Sequence, residues 1–162
     1  MSQQNVGQNE KPKKNKKTVT IKGRWQVVLK DEHGNVKDQR NGENVITTNG
    51  LEYLASYLHS ANTAGSWTMQ YVAIGTDSTA ETNSDTALGT ELSRHTGTVT
   101  YTSGGIYEVV ATFAAGSGTG AIVEYGLFDA NTGGTMLNRS TEAVINKGAS
   151  DILEATTQIT FS

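Results

Sequence analysis

Asp77, Glu81, Asp85 and Glu91 follow one another in a Ser/Thr-rich stretch that ends at Arg94. Carboxylate oxygens are the ligands a hard cation such as calcium takes. Their separations of four, four and six residues do not follow the alternating ligand loop of an EF-hand. The expectation is a solvated connector rather than a cation site. In it Asp85 or Thr86 caps a short turn, Leu88 and Leu92 plug onto the core, and Glu91 pairs with Arg94. An exposed pair of that kind contributes little. Arg94 or Arg139 would weigh more at a subunit contact.

The histidines offer less. His33 falls in a hairpin turn, His59 at a helix end and His95 in a loop, with no zinc spacing and no HExxH between them. A triad would need a Ser beside one of them after folding, and no GxSxG elbow suggests it. The glycine clusters GSGTG and NTGG lack the Lys and following helix of a phosphate loop. With no Cys, disulfides and thiolate metal sites are excluded. A non-enzymatic chain without a cofactor is expected.

The elements around these residues are strands. Val19, Ile21, Gly23, Trp25, Val27 and Leu29 alternate with polar residues, which predicts a half-buried strand. HGN at 33–35 marks a turn, and a second strand returns from Val36. Trp25 is read as a core or interface anchor. Leu51, Leu54, Ala55 and Leu58 recur at helical spacing, so a short amphipathic helix is expected, capped by Thr48 or Asn49, outside the sheet. Further strands are predicted near 69–75, 106–116, 121–129, 135–144 and 152–161. The stretch at 121–129 is apolar on both faces and should be central or lie under a partner subunit. Seven or eight strands and one helix predict a mainly β fold, an antiparallel sandwich or barrel-like body.

Residues 1–17 read differently. Lys11, Lys13, Lys14, Lys16 and Lys17 face only Glu10, a net of +4, whereas the remainder carries −7. Too little apolar surface is present to offset the entropy of ordering, so a disordered basic arm precedes one β-rich domain at 18–162. The arm is either a solubilising tail or a contact for nucleic acid or an acidic protein surface. No aromatic residue interleaves its lysines, so stacking on bases is not supported. The amino terminus has no apolar segment, which argues against a secretory signal and for synthesis in the cytoplasm. No apolar run is long enough to span a bilayer.

The series TTNGLEYLASYL, YVAIGT, DTALGTELSR, VEYGLFDANTGGTMLNRS and terminal TQITFS resembles a family of small virion structural proteins of tailed bacteriophages, over about residues 44–162. The strand pair at 18–46 and the lysine arm fall largely outside it. The resemblance implies a β-rich virion component, made in the host cytoplasm, with no enzymatic role. It maps Gly75, Leu88, Glu91 and Arg94 onto the connector and Gly126, Phe128, Gly133, Gly134, Met136, Leu137 and Arg139 onto the following hairpin. Glu91, Arg94, Phe128 and Arg139 thereby join Trp25 and Trp67 as interface or structural candidates. It leaves open a capsid decoration role, a place in the neck or tail, and a place at a fibre base. Decoration requires binding a repeated lattice of major capsid protein, which a homo-oligomer such as a trimer satisfies. A reading from another class is a carbohydrate-binding adhesion module, with Trp25 or Trp67 stacking on sugars.

Overall fold

The computed structural model describes residues 20–60, 69–102 and 105–161, with the backbone alone for 55–60. Among these residues the chain forms β1 (Ile21–Lys30), β2 (Val36–Ile46), α1 (Thr48–Ser60), β3 (Tyr71–Gly75), β4 (Glu91–Thr96), β5 (Thr98–Thr102), β6 (Ile106–Phe113), β7 (Gly120–Phe128), β8 (Met136–Lys147) and β9 (Ile152–Phe161). The fold is mainly β, as the alternation predicts, but with nine strands rather than seven or eight. The basic arm and Trp67 lie outside the described residues.

All neighbouring strands run antiparallel, in the order β4-β3-β7-β8-β2-β1-β9-β6-β5. The sheet is bent into two faces and is nearly closed. Strand β2 belongs to both faces: its first part pairs with β1, while Val45 and Ile46 pair with Arg139 and Asn138 of β8. At the other seam β4 and β5 sit at opposite ends of the order, yet Gly97 alone joins them. The Gly97 amide donates to the Gln70 carbonyl oxygen at 2.7 Å, and a methyl there would press on Val109 Cγ1 at 2.5 Å.

Period-two burial sets the core. Along β9, Leu153, Ala155, Thr157 and Ile159 are buried in alternation, and β1 supplies Trp25, Val27 and Leu29. The facing side supplies Val72, Ile74, Ile122, Tyr125, Leu127 and Ile145. Trp25 and Tyr125 meet across this core with ring centroids 5.7 Å apart. Burying each large apolar side chain contributes on the order of 1.5–3 kcal/mol. Asn138 Nδ2 donates to Thr157 Oγ1 across the interior at 3.2 Å.

Local chemistry fixes the connections. At the β1–β2 turn, Asp31 Oδ1 accepts from the His33 and Asn35 amides at 2.9 and 2.8 Å, and Gly34 takes the positive φ of 85°. The Asn35 side chain, whose Nδ2 donates to Asp31 Oδ2 at 2.9 Å, and those amides hold the Asp31 carboxyl below its ordinary pKa. The α1 cap is Thr47, one residue before the expected Thr48 or Asn49. Its Oγ1 accepts from the Gly50 amide at 3.0 Å and donates to the Met136 carbonyl oxygen at 2.5 Å, so it serves helix and sheet together. Helix α1 packs on β8, outside the sheet.

Candidate functional site

Four of the candidates gather on the outer side of the β3–β7–β8 face, beneath the connector at 76–90. Alternation along β7 turns Glu124, Gly126 and Phe128 outward, while Arg139 on β8 stands opposite Gly126. Gly126 has no side chain, which leaves room for Leu88 to descend from the connector. Leu88 packs there with Ala73, Phe128 and Met136 as a second, smaller core.

At the centre is Glu124, fully buried. Its Oε1 accepts from the amides of Thr90 at 2.8 Å and Asp77 at 3.1 Å, and its Oε2 accepts from the Gly89 amide at 2.9 Å. Arg139 Nε and Nη2 donate to the same Oε2 at 3.1 and 2.9 Å, and Nη1 donates to Asp85 Oδ2 at 2.9 Å. One carboxylate thus binds both ends of the connector while one guanidinium binds its middle. The Arg139 side chain is 4% exposed. Burial opposes its charge, but the bonds to Asp85 and Glu124 reverse this and raise its pKa. A buried charge pair tolerates loss of water only when its remaining hydrogen bonds are made, as they are here.

The connector's acids are engaged one by one. Burial pushes the Asp85 carboxyl up, and hydrogen bonds from Thr82 and Arg139 outweigh it, so its pKa lies below the ordinary value. Asp77 is lowered by the amide and hydroxyl of Thr79. Glu81 accepts from the Thr141 hydroxyl. Among the described residues no group of three or more His, Cys, Asp and Glu side chains is placed to hold a metal ion.

Arg94 does more than the exposed pair expected of it. A bulge opposite Ile74 and Gly75 leaves Leu92 as the extra residue and returns Glu91 to the side occupied by Arg94. Arg94 Nε and Nη2 donate to the two Glu91 carboxylate oxygens at 2.9 and 2.6 Å. Its Nη1 donates to the carbonyl oxygens of Ala130 and Gly133, each at 2.8 Å. The guanidinium lies 3.6 Å from the centre of the Phe128 ring, and the side chain is only 6% exposed. Arg94 therefore clasps the 129–134 turn onto the edge of the sheet. Leu92, expected to plug the core, is instead 43% exposed.

His95 lies in strand β4, not in a loop, and a serine does stand beside it. Nε2 is 2.8 Å from Ser117 Oγ, and the ring packs on Phe113 with centroids 4.7 Å apart. Ser117 Oγ is also 3.3 Å from Ser93 Oγ. Among the described residues no carboxylate bonds the imidazole, so nothing of that kind orients it as a base. The pair links β4 to the β6–β7 turn.

The outer side of the β2-β1-β9-β6-β5 face is a polar plain. Glu43, Arg24, Gln158, Glu108 and Thr100 stand in one transverse row across all five strands. Arg24 Nε donates to Gln158 Oε1 at 2.6 Å, and Gln158 Nε2 donates to Glu108. Beside this row the Gln26 side-chain amide donates through Nε2 to Asn41 Oδ1 at 3.1 Å. A shallow groove of about 690 Å³ runs over these side chains.

Glu91, Arg94, Phe128 and Arg139 are thus brought together in two intramolecular networks. Trp25 is turned into the core, 1% exposed, and presents no ring for stacking at the surface. Glu124 was not among the sequence candidates. Its signal was a lone acid inside the apolar run AIVEYGLF. The run is central, with β3 on one side of β7 and β8 on the other. Comparison with protein-family models, curated proteins and solved structures gave no match.

Proposed function

We propose that this chain is a non-enzymatic structural protein of a tailed-phage particle, acting by protein–protein contact as a capsid decoration or stabilising protein. The observation that carries the non-enzymatic part is the use made of the charged side chains. Glu124, Arg139, Asp85, Arg94 and Glu91 are tied to one another and to backbone groups, holding a long connector rigidly on a sheet. Such a body presents fixed surfaces to a partner. The virion part rests on the sequence resemblance over about residues 44–162, whose connector and hairpin residues are the ones gathered in these networks. Mixing the purified chain with undecorated capsids and sedimenting them tests it. Retention on the capsids is expected; protein left wholly in the supernatant overturns the capsid assignment, and labelling confined to the tail of intact particles replaces it with a tail or neck role.

The polar groove over Arg24, Gln26, Asn41, Glu108 and Gln158 favours a second reading, carbohydrate adhesion, because planar amide and charged groups match sugar hydroxyls. Trp25 lies in the groove floor, 1% exposed, and offers no ring for a sugar to stack on. A glycan array tests this reading, and signals at background level reject it.

A further inference from the structure

We infer that strand β5 is a self-pairing edge, through which two copies of this chain join about a two-fold axis centred on Thr100. This rests on the assembly reading above and names the surface used.

The two edges of the sheet are built differently. An edge strand presents unpaired N–H and C=O groups, and proteins blunt such edges with charge, Pro or a bulge. Strand β4 has a bulge at Leu92 and carries Glu91, Arg94 and His95. Strand β5 reads TVTYT, with no charge, no Pro, no Gly and a regular register against β6 from Thr98↔Val110 to Thr102↔Ile106. Every second residue of it turns its backbone groups away from β6. Tyr101 is 75% exposed, the most exposed large apolar side chain among the described residues.

The occupant follows from the order of residues. When β5 meets a second β5 antiparallel with Thr100 opposite Thr100, Thr98 faces Thr102 and Val99 faces Tyr101. One side of the joint becomes a row of threonines, continuing the polar plain. The other pairs an aromatic with a β-branched residue, on both sides of the axis. Thr–Thr and aromatic–β-branched pairs are among the favourable cross-strand combinations. Charge agrees: in a two-fold contact a charge on the axis meets itself, and β5 has none. A stable interface needs about 1,000 Å² or more. Five paired residues with Tyr101 supply less, so this joint forms at high local concentration, as on a lattice, rather than as a permanent dimer.

Cysteine scanning of the full chain reads the register directly, since the chain has no Cys. Directly opposed residues in an antiparallel pair have Cα atoms about 4.5–5.5 Å apart, within disulfide reach. Under mild oxidation at high concentration, Thr100→Cys should shift from monomer to covalent dimer on a non-reducing gel. Thr98→Cys and Thr102→Cys should each remain monomeric alone and cross-link when mixed. Thr100→Lys, which sets two ammonium groups face to face beside Glu108, should abolish concentration-dependent association in sedimentation while leaving the circular dichroism spectrum unchanged. If Thr100→Cys cross-links no more than Thr98→Cys, or if Thr100→Lys associates like the parent, the β5 joint is overturned. The capsid-retention assay on the parent protein reports separately on the assembly reading: retention of a parent that shows no Thr100→Cys cross-link upholds that reading and overturns only the joint.

Discussion

Glu124 and Arg139 stand on neighbouring strands with Nη2 2.9 Å from Oε2, and both side chains are withdrawn from solvent. Removing Arg139 leaves Glu124 buried without its counter-charge, a loss of up to about 3–5 kcal/mol for buried pairs. Arg139→Met should therefore lower the urea midpoint strongly. Adding Glu124→Gln to it should recover part of the loss, because the orphaned charge is gone. Additive losses in the double-mutant cycle would show that the pair does not act as a unit.

Arg94 makes its contacts with the geometry of a planar fork, which lysine lacks. Arg94→Lys should free the carbonyls of Ala130 and Gly133 and loosen the 129–134 turn. Hydrogen exchange should speed up at residues 129–135 and stay unchanged along β9. Exchange that rises uniformly, or not at all, would contradict the clasp.

Gly75 lies where β3 meets the connector, and a methyl there would collide with the Thr90 carbonyl oxygen and with Glu124 Oε1. The first of these is backbone and cannot swing away. Gly75→Ala should cost about 1–3 kcal/mol, as overpacking does. Gly116→Ala is not a fair control, because its φ is 79°. Ala115→Ser, at an exposed site in the same turn, is a better one. Equal melting temperatures for Gly75→Ala and Ala115→Ser would refute the clash.

Acid should unfold the chain through its bound carboxylates. Asp151 is held below the ordinary range by the Lys37 ammonium, which donates to both oxygens at 2.8 and 2.7 Å, and by the Gly148 amide. Asp85 is lowered as well. A carboxyl whose folded pKa is depressed contributes stability that is present above its unfolded value, roughly 3.9, and lost as pH falls through the folded value. Stability to urea should hold from neutral pH to about 5 and decline below about 4. Asp151→Asn should be less stable at neutral pH and show a shallower acid decline. An unchanged slope would rule out Asp151 as a contributor.

The strands that alternate cleanly were legible in the sequence. In β1 and β9 one face is buried and the other wet, so period two is written in residue type. Strands β4 and β5 were not. ELSRHT keeps Arg94 and His95 through specific partners, the Ala130 and Gly133 carbonyls and Ser117, which lie far along the chain. TVTYT is short and mostly exposed, so nothing in its polarity separates it from a loop. The site was half legible. Pairing of Glu91 with Arg94 followed from proximity, whereas Glu124 acquires its role only when β7 and β8 align and the connector folds back over them. The Leu92 expectation failed because β4 was read as a connector: in a strand Leu92 shares the side of Arg94, two residues on, and not the side of the core.

Both seams of the body are crossed by unbroken chain, β2 at one and the β4–Gly97–β5 run at the other. A load pulling one face sideways against the other is therefore carried by covalent backbone as well as by side-chain contact. Two walls stitched in this way cannot slip past each other, which gives the molecule the stiffness of a sewn sleeve rather than that of two stacked plates.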